Sequence, residues 1–224
     1  MNSIRQNIIE LNSHIPSYVQ LIAVSKTKSI AEIREAISAG QKSFGENKVQ
    51  ELLVKYEQMP EVEWHFIGHL QTNKVKFIAP FVHMIHSVDS LRILQEINKQ
   101  AAKNNRIVNG LLQIHIAHEE TKFGFSEEEV LSLLAGIEIK DYAHIRICGL
   151  MGIATNTDDD TVIRNEFHQL SLLFQRIKQT WFSHDSYFRE LSMGMSSDYQ
   201  IAIEEGSTMI RLGSSIFGER LYNV

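Results

Sequence analysis

The feature that most constrains this chain is an alternation repeated along its length. Short segments that read as strands occur at residues 21–24, 42–45, 64–68, 81–88, 107–117, 145–150, 188–192 and 209–212. A helix or helical turn is predicted after each one. Ser29 with Glu32 makes a capping box before a helix through Ile33 and Ile37. Val49, Leu52, Leu53 and Tyr56 give the next apolar face, with Pro60 ending that region. Shorter helical stretches follow at 72–79 and, behind Asp89 or Ser90, through Leu91, Leu94 and Ile97. Ser126 caps residues 127–134, and residues 160–181 form a long helix on Val162, Ile163, Phe167, Leu170, Leu173, Phe174 and Ile177. Residues 198–205 are helical with Gly206 as C-cap, and Ser214 or Ser215 starts a last short helix.

Repeated βα units with right-handed crossovers give a parallel sheet. Eight of them close into an α/β (β/α)₈ barrel (a TIM barrel), and 224 residues suit its size. An open doubly wound sheet is the alternative. Ile4, Ile8, Leu11 and Ile15 add an amphipathic N-terminal helix that packs on the barrel. No repeat, linker or low-complexity stretch separates a second unit, so residues 1–224 are expected to form one domain.

Composition narrows the function classes. A formal charge of -5 offers no basic stripe for nucleic acid. No apolar run reaches membrane-spanning length, and no signal peptide opens the chain, so a cytoplasmic address is expected. The one cysteine, Cys148, lies in an apolar run and suits a small core residue better than a nucleophile. The aspartates of 156–160 read as a solvated loop. His83 and His86, like His115 and His118, stand three apart and point to opposite strand faces. No carboxylate or cysteine set completes a site with them, so no metal is expected.

In a barrel, every strand C-terminus faces one mouth. Lys26 arrives there from the first strand, Asn47 after the second, His65 within the third, Met151 after the sixth and Ser196 after the seventh. Arg211, Gly213 and Ser214 come from the eighth. A lysine at such a mouth suits a Schiff base to a carbonyl ligand. Lys28, two residues on, shares the strand face of Lys26 and would depress its pKa. The turns 193–198 and 211–218 both join glycine, serine and a helix start, a combination that favours an anion. A phosphate cup opposite a lysine matches the needs of pyridoxal 5′-phosphate (PLP), with Arg211 as a permanently protonated partner for the ring nitrogen. His65 reads equally as a mouth residue or as a core histidine. A class I aldolase-like barrel, with Lys26 attacking a sugar phosphate, is a further alternative.

These motifs resemble the pyridoxal phosphate homeostasis protein family, whose members are similar to the barrel domain of fold-type III PLP enzymes such as alanine racemase. The resemblance rests on Ala23-Val24-Ser25-Lys26-Thr27-Lys28, Phe44-Gly45-Glu46-Asn47 and Trp64-His65-Phe66-Ile67-Gly68 with Leu70-Gln71 and Asn73-Lys74. It continues in Gly149-Leu150-Met151, in Leu191 to Ser196, and in Gly206 to Gly218. It implies an alanine racemase N-terminal-domain-like fold and PLP bound covalently at Lys26. It further implies a phosphate held by Ser196, Gly213 and Ser214, Arg211 at the pyridine nitrogen, and Asn47 and Met151 beside the ring. His69 stands where the family often has proline, and Phe123 where a small or polar residue is commoner.

The implied role is PLP homeostasis and delivery, with apo PLP-dependent enzymes as recipients and amino- and keto-acid balance as a secondary effect. Turnover is not expected. Racemisation needs an acid or base on each cofactor face, and the barrel ends near residue 218 without the β-domain that supplies one in the racemases. A weak racemase or transaminase is the runner-up reading. A monomer is expected.

Overall fold

The computed structural model describes residues 3–117, 123–137 and 141–218. Eight parallel strands close in the order β1 to β8, with β1 pairing β8. The strands are β1 Gln20–Val24, β2 Ser43–Glu46, β3 Glu63–Phe66, β4 Met84–Val88, β5 Val108–Ile114, β6 Ile145–Gly152, β7 Glu190–Ser192 and β8 Met209–Leu212. Helix α1, Ile4–His14, precedes the barrel. The outer ring is α2 Ile30–Ser38, α3 Val49–Gln58, α4 Thr72–Ile78, α5 Leu91–Lys103, α6 Glu127–Gly136, α7 Asp160–Trp181, α8 Tyr199–Glu204 and α9 Ser214–Phe217. The doubly wound alternative is excluded by the β1–β8 pairing.

Local chemistry sets the helix starts. Ser29 with Glu32 and Ser126 with Glu129 form the reciprocal bonds of a capping box, as their spacing predicts. Ser3 and Gln6 do the same for α1. Asp159, from the polar run after β6, caps α7 by accepting from the Thr161 N–H. The predicted strands differ from the observed ones mainly at their ends. β6 runs on to Gly152, while β5 stops at Ile114. Residues 115–117 belong to the loop above the barrel, and His118 lies outside the described residues.

Alternation along each strand makes two cores. Outward residues such as Leu21, Phe44, Trp64, Ile85, Leu112 and Ile210 are buried against the helices. Burial of a side chain such as Phe44 contributes about 2–3 kcal/mol. Inward residues Met84, Leu111, Cys148, Met151 and Met209 form a small core inside the barrel. Burial pushes the Cys148 thiol up to about 11, so it stays protonated there. Gly149 lets β6 bulge: its φ is +153° and an added Cβ would overlap the Glu190 carbonyl, where the β5–β6 register shifts. Helix α1 buries Ile8 and ties to α9 through Asn7 Nδ2, which donates to the Ile216 carbonyl at 2.8 Å. Among the described residues no helix is long and apolar enough to cross a membrane.

Candidate functional site

The C-terminal ends of the strands surround a cavity of about 1070 Å³. Lys26, Asn47, Ser196, Arg211, Gly213 and Ser214 all line it. Six of the eight residues predicted for the mouth are thus brought together from four strand ends.

Lys26 is placed by a buried ion network. Strand β1 ends at Val24, and the Ser25 N–H extends the ladder to the Gly45 carbonyl at 3.1 Å. The Ser25 hydroxyl donates to Glu46 Oε1 at 2.6 Å, and the Ser25 carbonyl accepts from Lys55 Nζ at 2.7 Å. Lys55 also bonds Glu46 at 2.6 Å and Glu51 at 2.7 Å. Glu51 in turn accepts from the Thr27 N–H at 2.6 Å. This bond holds Thr27 at φ +66°, a left-handed conformation uncommon for a β-branched residue. Burial pushes the Glu46 carboxyl above its usual range, while Lys55 and Ser25 pull against that rise.

The turn at Thr27 corrects the expectation for Lys28. The strand does not continue, so Lys26 and Lys28 share no face. Lys28 turns outward and donates to the Phe217 carbonyl at 3.1 Å, beside Glu32 at 3.3 Å and over the Phe217 ring. It does not line the cavity.

Across the mouth, the β7–α8 and β8–α9 turns clasp each other. The Ser196 hydroxyl oxygen accepts from the Gly213 N–H at 3.2 Å and the Ser215 N–H at 3.4 Å. Two backbone donors from one turn therefore converge on an oxygen from the other. Gly213 has open space on the cavity side: an added Cβ would make only ordinary contact with Val24, at 3.5 Å. The fold does not need glycine there, and its missing side chain leaves the backbone open to the cavity.

Arg211 lies between these two sides. It is buried at 4 % exposure, donates from NH1 to the Ser192 hydroxyl at 2.7 Å and from NH2 to the Gly152 carbonyl at 3.0 Å. Burial lowers its pKa to about 10, so it carries its charge at neutral pH. Both oxygens that hold it are neutral, and the nearby Asp198 carboxylate favours its charged form.

His65 and Met151 sit one layer lower than predicted. Both are fully buried and neither lines the cavity; Ile67 and Ile153, two residues further along their strands, do. Met151 packs in the inner core. His65 Nδ1 is 2.9 Å from His86 Nε2, and His86 Nδ1 is 3.0 Å from the Ser192 hydroxyl. A polar chain thus runs from His65 through His86 and Ser192 to Arg211. Burial holds the His65 imidazole down at about 3, and His86 well below its usual range.

Several neighbours of the cavity are not predicted from the sequence. Gln113 follows Leu111 on the inner face of β5, so alternation could have placed it at the mouth. It donates to the Phe123 carbonyl at 2.8 Å. His69 and Phe123, the two departures from the family pattern, stack at 3.7 Å over the cavity rim, and His69 Nδ1 meets Asp89 at 2.9 Å. Thr121 and Lys122 beside them lie outside the described residues. His83 and His86 are not sent to opposite faces as their spacing predicts: His83 precedes β4, and both rings approach His65, at 5.1 and 5.2 Å between centroids. The missing carboxylate is also present: Glu63, two residues before His65 on the same strand face, completes a cluster with His65 and His83.

Comparison with known proteins agrees with this architecture. The profile of the family described as alanine racemase, N-terminal domain, matches residues 1–221. A curated relative from Vibrio alginolyticus, named pyridoxal phosphate homeostasis protein, is 38% identical over 239 residues, covering 100% of both chains. The solved structure of PipY from Synechococcus elongatus PCC7942, with PLP bound, superposes with a TM-score of 0.87 at 34% identity, covering 96% of this chain and 100% of that one. Alanine racemase from E. faecalis shares the fold, at a TM-score of 0.72 and 14% identity over 97% of this chain and 58% of its own. The chain belongs to the pyridoxal phosphate homeostasis protein family, within the alanine racemase N-terminal domain fold.

Proposed function

We propose that the barrel works as one PLP-binding unit that holds the cofactor reversibly in the cytoplasm and releases it to apo PLP-dependent enzymes, without turnover of its own. One observation carries this reading. A single cavity joins the Lys26 side chain, the converging N–H groups of Gly213 and Ser215, and a buried, charged Arg211 between them. The PLP named in the PipY structure and the homeostasis role named for the Vibrio relative support it.

The residues present fit the cofactor chemically. Its aldehyde requires a primary amine, which Lys26 supplies as a covalent tether. Its phosphate requires donors, which Ser196, Gly213 and Ser214 supply. Its ring nitrogen requires a donor, and Arg211 cannot give its proton away. When bound, PLP supplies an electron sink for amino-acid chemistry. Arg211 keeps the ring nitrogen unprotonated, which weakens that sink. Asn47, which lines the cavity from the β2–α3 loop, would flank the ring. His65 and Met151 act from below: His65 orients Arg211 through His86 and Ser192, and Met151 supports the cavity floor.

The test is direct. The purified protein should absorb as a lysine-bound pyridoxal chromophore, and borohydride reduction with peptide mapping should mark Lys26. Lys26→Ala should lose that label while retaining PLP noncovalently in the phosphate cup. Protein that takes up no PLP would overturn the reading, as would rapid α-proton exchange on amino acids, which belongs to an enzyme.

A further inference from the structure

At the opposite end of the barrel interior from the cavity, Glu63, His65 and His83 converge. One ligand atom from each lies within 4.8 Å of the others. The sequence explains how they meet. Glu63 and His65 are two apart on the inner face of β3. His83 leads into β4 and is held against β3 by its N–H, which donates to the Trp64 carbonyl at 2.8 Å.

The second observation is an unpartnered atom. His65 is fully buried, its Nδ1 is engaged with His86, and its Nε2 has no hydrogen-bond partner among the described residues. A buried ring nitrogen left bare is costly, whether it carries a proton or a lone pair. The polar chain above it can run in two directions. Arg211 only donates, so the Ser192 oxygen accepts from it. If Ser192 also donates to His86 Nδ1, then His86 donates to His65, and Nε2 holds an N–H with nothing to receive it. In the reverse direction, His65 Nδ1–H donates to His86, whose Nδ1–H donates to Ser192. His65 Nε2 is then a buried lone pair without a partner, on a residue that offers a ring nitrogen within 4.8 Å of the Glu63 and His83 ligand atoms. That second arrangement is the one in which a metal-bound histidine donates its other N–H to a neighbour.

We propose that Glu63, His65 and His83 bind a divalent first-row transition ion of the zinc class at the base of the barrel. Two imidazoles and one carboxylate are a common zinc set that leaves a fourth position for water. The surrounding groups are arranged as such a site requires. Glu63 Oε2 accepts from the Ser43 hydroxyl at 2.6 Å, and Ser43 accepts from Gln20 Nε2 at 2.9 Å, fixing the carboxylate. His83 is exposed, so the ion can enter from solvent. The bound ion selects the second direction of the polar chain. It thereby orients Ser192 beneath Arg211, and the site is independent of whether the cavity above holds PLP.

Isothermal titration of the full chain with zinc chloride tests this. The expected result is one equivalent bound, with His83→Ala and Glu63→Gln each weakening affinity on the order of 100-fold. His168→Ala, which removes a surface partner of Glu205, should bind zinc as the unaltered protein does. Because His83 is exposed, its variant should fold, which circular dichroism checks. Cobalt(II) gives a second readout, since its visible bands should be lost in His83→Ala. The inference is overturned if the unaltered chain binds no zinc, if both variants bind as tightly as it does, or if His168→Ala removes the binding.

Discussion

The two ends of the barrel interior are built from the same eight strands and do opposite things. The upper end is open, and its polar groups converge on a cavity: Lys26, Asn47, Ser196 and the Gly213 backbone. The lower end is filled, and its polar groups converge on one another: Glu63, His65, His86 and Ser192. Ser192 and Arg211 join the two. A single step of two residues along a strand carries a side chain from one regime to the other, as His65 and Ile67 or Met151 and Ile153 demonstrate. Polar groups at the upper end should therefore govern ligand binding with little effect on stability. Buried groups beneath should govern stability first.

The largest effect should come from Lys55, which sits outside the strands yet sets the height of Lys26. Lys55→Ala leaves Glu46 buried at 0% exposure without its cation, and Glu46 Oε2 already lacks a partner among the described residues. Breaking a buried pair in this way costs about 3–5 kcal/mol, to be read by urea unfolding. The Ser25 and Thr27 anchors loosen with it, so borohydride-trapped cofactor on Lys26 should fall in the same variant. Undiminished stability would show that the network only decorates the loop.

Ser192→Ala tests the joint. It removes an acceptor from Arg211 and a partner from His86, both buried, at a cost of about 1–3 kcal/mol. PLP affinity should fall as well, because Arg211 loses one of its two supports. A variant that loses stability while binding PLP unchanged would separate the two ends completely.

Gly213→Ala should do the reverse. The added Cβ meets only Val24, at 3.5 Å, and the φ of -117° suits any residue. Stability should change by less than about 0.5 kcal/mol. PLP binding should weaken by roughly tenfold as the methyl enters the phosphate cup, about 1.4 kcal/mol. Pyridoxal, which lacks the phosphate, should bind as before. Equal losses for both ligands would move the phosphate elsewhere in the cavity.

These contrasts also explain what the sequence made legible. Apolar alternation and capping boxes are local, so the barrel, its helix starts and the mouth positions of Lys26, Asn47, Ser196 and Gly213 could be read directly. Depth within the barrel is not local. The sequence pattern puts His65 and Met151 one layer too high because layer depends on strand stagger and on the β6 bulge at Gly149, neither of which a single strand encodes. Lys28 leaves the face of Lys26 because a positive φ at Thr27 is imposed by Glu51, twenty-four residues away. The Glu63–His65 pair was visible as an i, i+2 spacing, but His83 reaches it only through the β3–β4 pairing.

At the rim of the cavity, as at the lower end, side chains are paired to each other. His69 stacks on Phe123 with planes 13° apart, and Asp89 fixes the imidazole. Both rings are substantially exposed, at 40% for the His69 side chain and 53% for Phe123. The pair therefore adds less than about 1 kcal/mol to stability. Its consequence should be kinetic: a stacked pair over the rim slows ligand departure. His69→Ala should speed release of PLP to a scavenging apo-enzyme by roughly two- to threefold, under about 0.7 kcal/mol of barrel-mouth stabilisation. Phe123→Ala should do the same, and the double variant should add nothing further, since each ring acts only through the other. Fully additive rates in stopped-flow transfer would mean that the two rings guard the rim separately, and that pairing is confined to the base of the barrel.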